Sequence, residues 1–132
     1  MAALELASGW QTEVDRGPDW LFVRLRSPVA REVDSFPLAE QIWDLMRQHF
    51  ATRVVLELDE LPLLRSALIG QIVLLHKRVH SQGGIIRLAG VSDANQSVLR
   101  MMRLEDRFPQ YRSRNEAVAG NAVDTLRFTK PR

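Results

Sequence analysis

Few residues in this sequence have types and spacing suited to chemistry. The three histidines are His49, His76 and His80. His76 and His80 stand four apart in an apolar, helix-like stretch, so both point from one face, a spacing that can hold zinc. No glutamate accompanies them in an H-E-x-x-H arrangement and no third ligand suggests itself, so helix-end and surface roles fit them better. No phosphate-cradling G-x-x-x-x-G-K-[ST] or G-x-G-x-x-G occurs, and no G-x-S-x-G elbow. Asp59 and Glu60 form an acidic pair at the end of a strand-like run, a common place for solvated acids. What stands out is "LPLLRSALIG" (61–70), where a strand-like run ends, a proline passes and an apolar helix begins. At that junction sit Arg65 and one hydroxyl, Ser66. The plain reading of Ser66 is a helix N-cap, worth about 1 kcal/mol. The functional reading is a phosphoacceptor at the open edge of a parallel sheet, where a phosphoryl group would add about −1.5 to −2 charges beside helix N–H groups.

The surrounding pattern predicts the elements that position this junction. "LFVRLR" (21–26) alternates, with Leu21, Val23 and Leu25 on one face and Phe22, Arg24 and Arg26 on the other. It pairs in an antiparallel hairpin with "WQTEV" across the turn chemistry of "DRGPD". Over 33–50 the spacing turns helical, with Leu38, Ile42, Leu45, Met46 and His49 inward, and Ser35 and Pro37 as start signals. "RVVLELD" (53–59) reads as a central strand whose one internal polar residue is Glu57. A helix follows from Ser66 to about His80, with Leu68, Ile69, Ile72, Val73, Leu75 and Val79 buried; "SQGG" stops it. "IIRLAGV" (85–91) is a second buried strand. A third helix opens at Ser92, with Val98, Leu99, Met101 and Met102 facing inward. A short strand is expected within 107–113 and a last helix over 115–126, started by Ser113 or Asn115. Strands alternating with helices of about ten to eighteen residues predict a mostly parallel sheet with an antiparallel start.

Composition bounds the rest. The chain has 132 residues, 45% hydrophobic and 26% charged, which suits one globular domain over 1–132 with its core at about 10–126. With no cysteine, disulfides, thiolate nucleophiles and cysteine-based zinc sites are excluded. No charge-free stretch is long enough to span a bilayer and no basic leader opens the chain, so a cytoplasmic setting is expected. Residues 1–66 hold 7 arginines against 11 acids, a balance of −4, whereas 67–132 hold 11 basic residues against 5 acids, a balance of +6. Without basic runs or interleaved aromatics, that asymmetry argues for a solvated face or an acidic protein surface rather than nucleic acid.

Taken together, "GGIIRLAGVSDANQSVLRMMRLEDRFPQYRSRNEAVAG" and "RVVLELDELPLLRSALIGQIVLLHKR" resemble STAS domains, the fold of bacterial anti-sigma factor antagonists (anti-anti-sigma factors). The matching positions are Gly83–Gly84, Val91–Ser92, Leu104–Phe108 and Ser113–Ala117. The resemblance implies an α/β, SpoIIAA-like fold with a four- to five-stranded mixed, mostly parallel sheet and about four helices. It also implies a regulator that is not an enzyme and needs no cofactor or metal. Its partner would be an anti-sigma factor that is also a serine kinase, with homodimerisation left open. The family's loop usually reads D-S-S-G-[LI]-G and its first serine accepts phosphate. Residue by residue, Ser66 matches that serine, and Arg65, Ser66, Ala67, Leu68 and Gly70 make up the partner-binding segment. Arg65 stands where the family has aspartate, Ala67 replaces its second serine and Leu68 its first glycine. The alternative implied function is a STAS interaction or scaffold module, stressosome-like or transporter-associated, in which Ser66 only caps. A small hydrolase using Ser66 is the third reading and has the least support.

Overall fold

The computed structural model describes residues 2–5 (backbone only), 10–26 and 37–120. Ten elements follow in order: β1 (Ala2–Glu5), β2 (Gln11–Arg16), β3 (Leu21–Arg26), α1 (Leu38–Gln48), β4 (Arg53–Glu57), α2 (Ser66–Ser81), β5 (Ile85–Ala89), α3 (Asp93–Met101), β6 (Gln110–Tyr111) and α4 (Arg114–Ala119). The strands form one mixed sheet in the order β1-β2-β3-β4-β5-β6. β1, β2 and β3 pair antiparallel, and β3, β4, β5 and β6 pair parallel. The expected hairpin and the parallel crossovers are therefore present. β1 adds an edge strand that the alternation pattern did not mark.

The period-two pattern of β3 explains which face each residue takes. Leu21, Val23 and Leu25 are fully buried beneath α1 and α2, while Phe22 lies on the opposite face with Trp20, Val55, Ala89, Tyr111 and Ala117. β4 is buried on both faces from Val54 to Glu57, as a central parallel strand should be. α1, α2 and α3 cover one face of the sheet, and α4 lies against the other.

Two expectations change. α1 starts at Leu38, directly after Pro37; Ser35 lies outside the described residues. Met101 and Met102 do not face inward but are 83% and 43% exposed. α3 ends at Met101, Arg103 turns the chain at φ 57°, and Leu104 N–H donates to Leu99 O (2.9 Å), so Leu104 and the buried Phe108 fill the space instead. The last helix does begin at one of the two expected start residues: Ser113 caps it, Oγ accepting from Glu116 N–H (3.3 Å), and it runs from Arg114 to Ala119, with Gly120 in the left-handed region after it. The part of that expectation beyond residue 120 lies outside the described residues.

Candidate functional site

The path from β4 to α2 runs over the C-terminal edge of the sheet. Leu58 N–H donates to Ala89 O (2.9 Å), extending the strand bonding, and Leu61 N–H donates back to Leu58 O (3.1 Å). Asp59 accepts from Arg24 Nε (3.2 Å) and Glu60 from Arg26 Nε (3.1 Å), so β3 restrains the acidic pair. Leu61 and Leu64 tuck into the core, leaving Pro62 and Leu63 outside. Their backbone meets α3: Asn95 Oδ1 accepts from Leu64 N–H (2.8 Å) and Asn95 Nδ2 donates to Leu61 O (3.1 Å).

α2 then begins without a side-chain cap. Arg65, with φ −86° and ψ 155°, occupies the N-cap position, and Ser66 is the first helical residue. The plain reading of Ser66 as the cap is therefore corrected. The first intrahelical bond runs from Ile69 N–H to Arg65 O (3.0 Å), so the amides of Ser66, Ala67 and Leu68 precede the helical ladder. No acidic side chain lies in the first turn. The helix does not depend on a cap worth about 1 kcal/mol, because it buries Leu68, Ile69, Ile72, Leu75 and Val79, each worth about 1.5–3 kcal/mol. Val73 is half-buried.

Of the segment expected to meet a partner, Arg65, Ser66, Ala67 and Gly70 are exposed and form one surface. Leu68 is 7% exposed and belongs to the core, so it shapes the segment from beneath. Gly70 is helical, and a Cβ built on it meets nothing within 4 Å. Gly70→Ala is therefore expected to stabilise the fold by about 0.4–1 kcal/mol, read as a higher urea midpoint. An unchanged or lower midpoint would show that the site demands glycine for folding itself.

The histidines are elsewhere. His76 follows Ser66 by ten residues on the same helix, about 15 Å along its axis. Its ring stacks on His80 (5.9 Å between centroids) and meets the edge of Phe108 (5.2 Å). Burial, then the positive charges of Arg107 and His80, hold His76 below the usual histidine value. Among the described residues no group of three or more His, Asp or Glu is arranged to hold a metal ion.

A second polar cluster lies on the α4 face. Glu57, 4% exposed, accepts from Arg114 through both oxygens (2.5 and 3.1 Å) and from Arg24 (3.1 Å). Arg114 also donates to Asp15 (2.8 Å) and lies over the Phe22 ring at 4.3 Å. The hydrogen bond from Arg114 holds the Asp15 carboxyl below the usual aspartate value. Arg24, Glu57, Asp59, Arg112 and Arg114 line a cavity of about 260 Å³. Their opposite charges are largely spent on one another. Sequence reading noticed Glu57 but missed Arg114 and Asn95, whose partners are distant along the chain.

Strand order and helix placement define a small mixed-sheet α/β domain with an exposed serine where parallel sheets place their working loops. The chain belongs to the STAS domain family: the family's sequence model matches residues 11–117. No curated protein matches the sequence. Among solved structures, an anti-sigma factor antagonist from Mycobacterium paratuberculosis is similar at 15% identity and TM-score 0.69, over 89% of this chain and 97% of that one. A putative anti-sigma factor antagonist from Thermotoga maritima is similar at 18% identity and TM-score 0.64, covering 83% and 92%. The anti-sigma factor antagonist SpoIIAA in its unphosphorylated form is similar at 14% identity and TM-score 0.59, covering 85% and 99%. At these identities the likeness establishes the fold, and it bears out the resemblance drawn from the residues.

Proposed function

We propose that this STAS domain is an anti-sigma factor antagonist-like regulator in a bacterial cytoplasm. It binds a kinase-type anti-sigma factor through the surface of Arg65, Ser66, Ala67 and Gly70, and phosphorylation of Ser66 ends the binding. The observation carrying this reading is the exposed Ser66 hydroxyl at the first residue of α2, in a domain whose solved neighbours include anti-sigma factor antagonists. In the step itself the γ-phosphoryl group of ATP passes to Ser66 Oγ, ADP leaves, and the hydroxyl proton goes to a base on the kinase. The uncommitted amides of the first turn and the helix dipole favour the added charge, while an acidic partner surface would be repelled by it.

A second reading, an interaction module without the switch, draws on Arg65. A guanidinium beside Ser66 neutralises part of a phosphate's charge and weakens its effect on a partner. One experiment separates the readings: incubation with a co-encoded serine kinase and ATP, followed by intact-mass measurement and affinity measurement for that kinase. Wild type is expected to gain one phosphoryl group and Ser66→Ala none. Ser66→Asp is expected to bind at least about tenfold more weakly than Ser66→Ala. Phosphorylated Arg65→Asp should release the partner more completely than phosphorylated wild type. No added phosphate, with Ser66→Ala and Ser66→Asp binding alike, would leave the scaffold reading standing.

A further inference from the structure

The loop 58–65 owes little of its shape to its own turn chemistry. It makes one internal backbone bond, and Arg65 supplies no side-chain cap for the helix it starts. Ala89 and the arginines of β3 hold its first half, through Leu58, Asp59 and Glu60, and the backbone of its second half is held by a residue 31 positions from Leu64. Asn95 is fully buried, in the first turn of α3, and its own N–H donates to the capping Ser92 Oγ (3.2 Å). Its carboxamide then gives residues 61–64 one acceptor, for Leu64 N–H at 2.8 Å, and one donor, for Leu61 O at 3.1 Å. One carboxamide thus joins two backbone groups three residues apart, and it fixes the backbone two residues before Ser66.

We infer that Asn95 is the positioning residue of the Ser66 site: it sets where α2 begins and makes α3 part of the surface that presents Ser66. The importance given to Ser66 rests on the function proposed above; the placement of the loop does not. The residue type is demanding. Aspartate keeps the acceptor but loses the donor and buries a charge, leucine offers neither bond, and glutamine is one methylene too long. A loop held in shape in advance spares a partner the entropy of ordering it.

The test compares wild type with Asn95→Ala, Asn95→Asp and a control, Leu99→Ala, which removes a buried α3 side chain without touching either bond. Where an Asn95 variant is too unstable to study, the comparison is run in sucrose, which strengthens burial without replacing either bond. Amide exchange is expected to accelerate about tenfold or more at Leu64 in Asn95→Ala, relative to amides inside α2 such as Ile72 and Leu75, and less in Asn95→Asp, whose carboxylate still accepts from Leu64 N–H. Trypsin is expected to cut first after Arg65 in those variants. In Leu99→Ala the acceleration should be spread over the domain. Phosphorylation by the kinase above should show a raised KM with kcat retained in Asn95→Asp. Equal acceleration at Leu64 and within α2, or cleavage after Arg65 no faster than in Leu99→Ala, overturns the inference. The exchange and cleavage results stand even where Ser66 takes no phosphate, so the two proposals fail separately.

Discussion

Glu57→Ala is expected to lower the unfolding free energy by about 3 kcal/mol, at the low end of the ~3–5 kcal/mol that follows removal of one partner from a buried ion pair. Glu57 is the only buried carboxylate among the described residues, and it is held by a two-pronged Arg114 and by Arg24. Without it, the two guanidinium groups face each other with only about a quarter of each side chain exposed. That partial exposure places the loss at the low end, because water can reach both cations. Asp15 still engages Arg114 and Asp59 still engages Arg24, which limits the loss further. Glu57→Gln keeps the shape and one acceptor and should lose less, about 1.5–3 kcal/mol for hydrogen bonds to charged groups. Urea unfolding of the three proteins measures this, with the slope unchanged if only stability shifts. A loss below about 0.5 kcal/mol for the alanine variant, the level of an exposed pair, would mean that the cluster is solvated in solution.

Gly84→Ala is the second large effect, through the backbone. A Cβ on Gly84 would stand 2.2 Å from Thr52 O and 2.9 Å from Val79 Cγ1. Neither neighbour can move freely. Thr52 O accepts from Ile85 N–H (3.0 Å), where β4 and β5 begin to pair, and Gly84 N–H donates to Val79 O (2.9 Å) at the end of α2. With Gly83 N–H donating to His80 O (3.0 Å), these bonds form the Schellman motif that ends α2. Alanine must therefore push the helix end away from the sheet, a loss of about 3 kcal/mol, the upper part of the overpacking range. Gly83 is the internal comparison. It has φ 76° but open space around its Cβ position, so Gly83→Ala should cost only the left-handed backbone term, about 1–2 kcal/mol. Denaturant midpoints rank the two, and a Gly83 variant as unstable as the Gly84 variant would contradict the close approach.

Much of the fold was legible because its signals are local. The alternation in 21–26 put Leu21, Val23 and Leu25 on the core face, and the near-continuous apolar run of 53–59 marked a central strand. The helical spacing of Leu38, Ile42, Leu45 and Met46 predicted a buried face that the structure contains. Errors came where local periodicity runs past a break. Met101 and Met102 continue the helical pattern of 93–101, but the chain turns at Arg103 and presents Leu104 and Phe108 to the core instead. The candidate site was half legible. Ser66 stood out as a hydroxyl at a strand-to-helix junction, while its position as first helical residue rather than cap depends on where the preceding loop is tied.

By itself, then, the sequence determined the order of the elements from β2 to α4 and the two faces of the sheet, each written in spacing over a few residues, and its motifs resembled those of STAS domains. Tertiary structure alone decided that Asn95 holds residues 61–64 and that Arg114 and Arg24 converge on Glu57, across separations of 31 to 57 residues. The physical reason is that a buried amide or carboxylate must find its partners wherever the folded backbone brings them. No periodicity encodes such a pairing, because the partners meet only after the sheet and its crossovers have formed.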